Sequence, residues 1–232
     1  MRLSIMQPYF FPYIGYFQLI AASDVFVIYD NIKYTKKGWI NRNRILVDGT
    51  DAMLSLPLQK ASDTLDVRDR CLAMDYNPEK LLSQIKGAYF RAPFFSLVFP
   101  LLERVFRTDE RNLFGYVHAS VLGVCQYLGI MTEIRISSNV AVDHTLRGES
   151  KVLAICNALG ADAYLNTVGG VDLYSNEHFS ERGVNLQFIK STPFEYTQFG
   201  APFVPWLSII DVLMFNSPEI VREYILTNYE LI

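Results

Sequence analysis

The chain has 232 residues, half of them hydrophobic and 14% aromatic, with a formal net charge of −3 and a pI near 5.6. That length and apolar content suit one large α/β unit or a core with an inserted subdomain, and the mild acidity argues against a dedicated nucleic-acid binder. No apolar run approaches the ~20 residues of a membrane span, and Met1-Arg2 leads straight into a strand with no basic region and long apolar stretch behind it, so a cytoplasmic protein without membrane insertion is expected.

Residues 3–6 read as a strand that runs through Gln7-Pro8-Tyr9-Phe10-Phe11-Pro12 into a helix over 14–22. Gly15 falls at the mouth of that helix, where a backbone without Cβ can closely approach a ligand. Residues 25–29 form the continuous apolar run of a buried parallel strand. The three together make a β-loop-α-β unit, whose first loop lies at the carboxyl end of the sheet, where open α/β folds bind ligands.

Residues 39–47 and 52–58 predict a hairpin closed by Asp48-Gly49, a dipeptide suited to the positive φ of tight turns. Asn77-Pro78-Glu79 supplies an N-cap and a first-turn proline for a helix to about residue 90, with further helices expected over 94–106 and 109–128. Alternation then resumes: strand 133–137, helix 149–159, strand 163–166, a turn at Val168-Gly169-Gly170, helix 174–182, strand 185–188. Ser208 can cap a helix over 209–215, and Ser217-Pro218-Glu219 opens a last one to residue 228. The expected fold is thus α/β, a Rossmann-like parallel sheet of nucleotidylyltransferase (HUP-like) type, in one domain over 1–232 with a hairpin excursion at 39–58 and a mainly helical insert at 77–128. Phe94, Phe95, Phe99 and Phe106 in that insert supply apolar surface for the core or for a second copy, and an oligomer fits the composition.

Cys71, Cys125 and Cys156 are odd in number and unpatterned in spacing, which fits reduced thiols rather than disulfides or a zinc site. No pair of histidines has ligand spacing, so no metal site is expected. His118 lies in an apolar helical pattern and reads as structural, and His178 beside Glu177 reads as exposed. His144, in the loop Val142-Asp143-His144-Thr145-Leu146-Arg147, has charged neighbours and is the best general-base candidate of the three.

Two segments carry most of the candidate chemistry. Tyr13-Ile14-Gly15-Tyr16 sits at the strand-to-helix junction and resembles the His-x-Gly-His signature of nucleotidylyltransferases, with both histidines replaced by tyrosines that donate a hydrogen bond but carry no positive charge near neutral pH. In those enzymes the two histidines stabilise charge developing on the transferred phosphoryl group. The second segment runs from Asp30-Asn31 to Gly38-Trp39-Ile40-Asn41-Arg42-Asn43-Arg44. Asp30 and Asn31 are expected to face the same crevice as Gln7 and Pro8, because parallel strands of one unit end on the same side. Strand alternation sends Trp39, Asn41 and Asn43 to one face and Ile40, Arg42 and Arg44 to the other. The guanidinium forks suit bidentate binding of phosphate or carboxylate, and Lys36 adds a mobile charge. A weaker candidate is Asn166-Thr167-Val168-Gly169-Gly170, a strand end whose turn can present amide N–H groups to an anion, with Tyr174 close behind.

Gln7-Pro8-Tyr9-Phe10-Phe11-Pro12, Asp30-Asn31 with residues 38–44, and the late Trp206-Leu207-Ser208-Ile209-Ile210-Asp211 with Phe215-Asn216 together resemble the WbqC-like protein family over essentially the whole chain. The matching positions are Gln7, Pro8, Tyr9, Pro12, Gly15, Tyr16, Asp30, Asn31, Gly38, Trp39, Asn41, Arg42, Asn43 and Arg44. The resemblance implies bacterial genes among those for surface polysaccharide and O-antigen, and a transferase that attaches an amino acid or acyl group to an activated or nucleotide-linked amino sugar. Asp30, His144 and Tyr16 are then the expected catalytic groups, with the remaining polar and aromatic residues named above binding the sugar or the activated amino-acid or acyl donor. The cofactor is unknown under that reading, with ATP and Mg²⁺ belonging only to the first alternative below. Two alternatives stand beside it: a nucleotidylyltransferase or adenylate-forming ligase using ATP and Mg²⁺, and a non-catalytic binding or scaffolding subunit of a polysaccharide assembly complex.

Overall fold

The computed structural model describes residues 1–200 and 202–232. Strand β1 (Arg2–Met6), helix α1 (Ile14–Ala21) and β2 (Val25–Ile28) form the opening unit, followed by the hairpin β3 (Arg42–Val47) and β4 (Thr50–Ser55). Helices α2 (Pro78–Tyr89), α3 (Phe95–Phe106) and α4 (Leu113–Leu128) come next. The alternating half contains β5 (Glu133–Ile136), α5 (Gly148–Leu159), β6 (Ala163–Thr167), α6 (Asn176–Glu181) and β7 (Asn185–Ser191), and the chain closes with α7 (Ile209–Phe215), α8 (Pro218–Thr227) and β8 (Tyr229–Leu231).

The six main strands lie in the order β5-β2-β1-β6-β7-β8, all parallel except the β7–β8 edge pair. Counted as they occur along the chain, this is the 3-2-1-4-5-6 order of Rossmann-like sheets, which reverses direction between β1 and β6. Successive β2 residues serve opposite cores, as two-sided burial of a parallel strand requires. Val25 and Val27 pack with α5 and Phe179 of α6, whereas Phe26 and Ile28 pack with α1, the α2–α4 helices, α7 and α8. No described helix is long and apolar enough to cross a membrane.

Local signals set most boundaries. Asp48 and Gly49 adopt φ of 48° and 78°, and Val47 pairs with Thr50 across the turn as the dipeptide predicts. Asn77 caps α2 through Glu79 N–H, with Pro78 at the first helical position. Three expectations shift. The third helix of the insert begins at Leu113 rather than near residue 109, because the Asn112 side chain takes the Gly115 N–H and fixes the start there. The helix expected over 174–182 shortens to α6, since Ser175 caps it and Tyr174 stays extended. Strand alternation begins only at Arg42: Ile40 precedes the strand and is buried in the main core, away from Arg42 and Arg44, while Asn41 is pinned by the Tyr34 hydroxyl and the Leu56 carbonyl. The short edge strand β8 has no sequence signal of its own.

The insert's aromatic surface is met by the chain itself. Phe106 is fully buried, stacked on Phe11 at 5.7 Å and edge-on to Phe10 at 5.8 Å, and Phe95 stacks on Phe99 at 4.7 Å. Cys125 and Cys156 are buried in the two cores, and burial pushes both thiols up to about 12, far from nucleophilic thiolate.

Candidate functional site

The loop that leaves β1 is held by two distant segments. The Asn43 side-chain amide donates to the Phe10 carbonyl at 3.1 Å and to the Phe11 carbonyl at 2.9 Å, and its own oxygen accepts from Arg44 N–H at 2.9 Å. Ser208 donates its hydroxyl to the Phe11 carbonyl at 2.7 Å, and Ile209 N–H reaches the Pro12 carbonyl at 2.9 Å. Phe11 is thereby kept at φ 39°, a left-handed conformation that a bulky residue adopts only when its surroundings impose it. Asp211, one turn beyond Ser208, is buried and accepts from Tyr89, Tyr196 and Gln198, while Tyr89 also takes the Leu46 N–H of the hairpin. Two segments far apart in sequence therefore lock the opening loop, and Tyr89 ties them to each other through Asp211 and Leu46.

Tyr16 and Gly15 belong to this frame. The Tyr16 ring is buried and its hydroxyl donates to the Gln7 carbonyl at 2.8 Å, so it positions the loop rather than reaching an open space, which corrects its expected catalytic role. A Cβ on Gly15 would stand 2.4 Å from the Tyr13 ring, so the clearance at the helix mouth is filled by the chain's own tyrosine. Gln7 turns its amide oxygen toward the Tyr9 hydroxyl, and Pro8 is buried.

Above β2 and the start of α5 lies a crevice of about 530 Å³, walled by Tyr29, Asn31, Lys33, Arg147, Lys151 and Tyr174 among others. It is at the carboxyl edge of the sheet, as the fold predicts. Its inner wall is a chain of hydrogen bonds. Lys151 is only 3% exposed and donates to the Asn31 side-chain oxygen at 3.0 Å, which also takes the Ser137 hydroxyl at 2.8 Å. An ammonium has no acceptor, so the Asn31 oxygen must face it and the NH₂ must face His144 Nδ1, 3.0 Å away. His144 Nδ1 is then an acceptor, and the neutral ring carries its proton on Nε2. Desolvation lowers the Lys151 pKa, with Arg147 adding to the effect and Asp30 opposing it. The Lys151 ammonium also lies 5.0 Å from the Tyr29 ring centre, a cation–π contact.

Asp30 is buried with both oxygens engaged: one accepts Ser138 N–H at 2.9 Å, the other the Ser138 hydroxyl, and Arg68 approaches to 3.9 Å. It fixes the loop after β5 through one hydrogen bond on each oxygen. His144, with Nδ1 occupied, presents a donor rather than a base. Lys151 is the residue that sequence reasoning missed, since one lysine inside a helical pattern carries no signal of burial.

The other candidates are distributed elsewhere. Tyr9, Tyr13, Trp39, Asn43 and Arg44 surround a separate depression together with Trp206. Arg42 donates to the Gly38 carbonyl at 3.1 Å, and Lys36 is exposed and paired with Asp63 at 2.9 Å, so neither lines the crevice. Asn166 folds its side chain over Gly170, where an added Cβ would meet it at 2.4 Å, and Gly169 is exposed; the turn is a 3-10 segment over Val168–Leu173. Tyr174 does reach the crevice, edge-on to Tyr164 at 5.6 Å. His118 stacks on Phe114 at 5.5 Å, its pKa lowered by burial, and His178 pairs on the surface with Glu149 at 2.6 Å.

Among curated proteins the chain is similar to an uncharacterized protein, Rv1507c, of Mycobacterium tuberculosis, with 26% identity over 219 residues and 93% of each chain covered. No solved structure matches it. The WbqC-like protein family model matches residues 7–223, a span that includes the opening loop, the Asn31 wall, Lys151 and the Ser208–Asp211 lock, and the chain belongs to that family.

Proposed function

We propose that the protein is a cytoplasmic transferase of bacterial surface-polysaccharide or O-antigen synthesis that attaches an amino acid or acyl group to an activated, nucleotide-linked amino sugar. The observation that carries this reading is the Lys151–Asn31–His144 wall of the sheet-edge crevice. Lys33 and Arg147 add cationic side chains that suit a diphosphate, and the rings of Tyr29 and Tyr174 offer faces for a sugar or base. In the transfer, the amine of the sugar attacks the acyl carbonyl, carbonyl charge builds up, and as the C–N bond forms the bond to the donor's leaving group breaks; the leaving group departs with the electron pair and the amine proton passes to it or to water. Lys151 steadies that negative charge in this reading, His144 acts through its hydrogen bond to Asn31, and binding both partners at one edge supplies proximity. Asp30 and Asn31 act as positioning residues.

The sheet is, in this reading, of nucleotidylyltransferase (HUP-like) type, supported by its strand order and by a glycine at the start of α1. Nucleotidyl transfer itself is disfavoured, because the Tyr13 ring fills the space over Gly15 that would have to be open for a nucleotide to rest there. Calorimetry with UDP-N-acetylglucosamine and with ATP tests the assignment. Saturable binding of the nucleotide-sugar, weakened at least about tenfold in Lys151→Met, is expected. Binding of ATP without binding of the nucleotide-sugar would overturn it.

A further inference from the structure

Trp39 and Trp206 are the only tryptophans of the chain, and both stand around the same depression, 38% and 66% exposed. Exposed large rings gathered in one place mark a binding surface rather than scattered apolar residues. Behind them, Tyr13 and Trp206 also line an apolar cavity of about 140 Å³ walled by Ile14, Phe194, Phe203 and Val212. This cleft shares no lining residue with the Lys151 crevice.

The rim is held under strain. Trp206 has φ 60°, in the left-handed region that a bulky residue adopts only when its surroundings impose it. Arg44 holds it there: its Nη2 donates to the Trp206 carbonyl at 3.0 Å, while its own carbonyl accepts Ser208 N–H at 2.8 Å. The Trp206 ring is then edge-on to Tyr13 at 6.0 Å, and both rings line the depression as well as the cavity. Arg44 also lies 5.7 Å from the Trp39 ring centre and makes only a long 3.5 Å contact with Asp51. Its Nε is buried with no hydrogen-bond partner among the described residues. A guanidinium has five N–H donors, and this fixed cation stands in the depression that shares Tyr13 and Trp206 with the apolar cavity.

We propose that this cleft binds a small amphipathic carboxylate, with the apolar body in the cavity behind Tyr13 and Trp206 and the carboxylate at Arg44. The size follows from the cavity: an apolar space of about 150 Å³ accommodates a benzene ring, so the body is a ring of that size or an acyl chain of about six carbons. Its role rests on the transferase reading above, under which the bound group is the acyl or amino-acid component. The binding itself stands on the cleft alone.

Because both tryptophans border the cleft, intrinsic fluorescence reports on it directly. Hexanoate and phenylacetate are titrated into the full chain, with hexanamide as the uncharged control and UDP-N-acetylglucosamine by calorimetry in parallel. A saturable change with either carboxylate is expected at or below about 10 mM. Affinity should fall at least about tenfold for hexanamide, for Arg44→Gln and for Ile14→Phe, which fills the cavity without altering charge, and stay the same in Lys151→Met. No saturable change with either carboxylate in the unmodified chain, or unchanged affinity in Ile14→Phe, overturns the site, and equal binding of hexanamide overturns the assignment of the anion. Carboxylate binding without nucleotide-sugar binding leaves the cleft standing and rejects the transferase reading, whereas the reverse result rejects the cleft alone.

Discussion

Lys151 Nζ and the Asn31 side-chain oxygen lie 3.0 Å apart in the inner wall of the crevice, and the Asn31 oxygen is the closest acceptor the lysine has. A buried ammonium needs such a partner, because the charge has lost its water. The same contact dictates the Asn31 amide orientation and hence the tautomer of His144, so one side chain sets the state of two others.

Asn31→Leu removes the acceptor and should cost about 2–3 kcal/mol, the scale of leaving a buried polar group unsatisfied. Urea unfolding at neutral pH measures it, and a loss below about 0.5 kcal/mol would contradict the wall as described. Asn31→Asp acts in the opposite direction on Lys151, raising its pKa through the adjacent carboxylate. The titration of the lysine side chain followed by NMR should move upward relative to the unmodified chain.

Asn43→Ala deletes both bonds to the Phe10 and Phe11 carbonyls. At about 0.5–1.5 kcal/mol each, plus the desolvation of the stranded Phe10 carbonyl, the expected loss is about 2–4 kcal/mol. Combination with Ser208→Ala, which frees the Phe11 carbonyl from its other partner, should be non-additive, since the two side chains share that acceptor. Additive denaturation energies would show that the loop is not held as one unit.

Burial raises the pKa of Asp211, although its three hydrogen bonds oppose the shift. A carboxyl with a raised folded value binds its proton more tightly in the folded state than in the unfolded one. Its contribution is therefore fully favourable below the ordinary carboxylate range and is lost as pH rises through the raised value. The difference in stability between the unmodified chain and Asp211→Asn should shift against the unmodified chain across that window and be flat at higher pH. Denaturation over pH 3–8, about the range that spans ordinary and raised carboxyl values, measures the difference.

Gly15→Ala should destabilise despite alanine's advantage of about 1 kcal/mol in a helix, because the added methyl collides with the Tyr13 ring. Tyr13→Ala removes the obstacle. In the double variant the alanine at position 15 should become neutral or stabilising, a coupling of about 1–3 kcal/mol in the double-mutant cycle. Absence of coupling would mean that the ring does not rest over the glycine.

Much of the architecture was legible because its causes are local. The run over 25–29, the Asp48-Gly49 turn, and the caps at Asn77, Ser208 and Ser217 each restrict φ and ψ within a few residues, and the structure follows them. β8 was not legible: it pairs with β7 only because α8 delivers it to that edge. Within the candidate site, residue types pointed to Asn31 and Tyr174, which line the crevice, and to His144, which hydrogen-bonds Asn31, but the same reasoning grouped them with Arg42 and Lys36, whose partners lie elsewhere. Asn41 and Asn43, chosen for ligand binding, spend their amides on backbone carbonyls.

By itself the sequence determined an opening β-loop-α-β unit, a hairpin, a helical stretch and a return to strand–helix alternation, since periodicity and turn chemistry act between neighbours in the chain. Only the tertiary structure decided what the polar residues do. The order of strands places α5 beside the end of β2 and so buries Lys151 against Asn31, and the docking of the late segment on the opening loop brings Trp206 to Trp39. Those contacts join residues far apart in sequence, and desolvation, which sets the charge and reach of each side chain, depends on the complete packing rather than on any one segment.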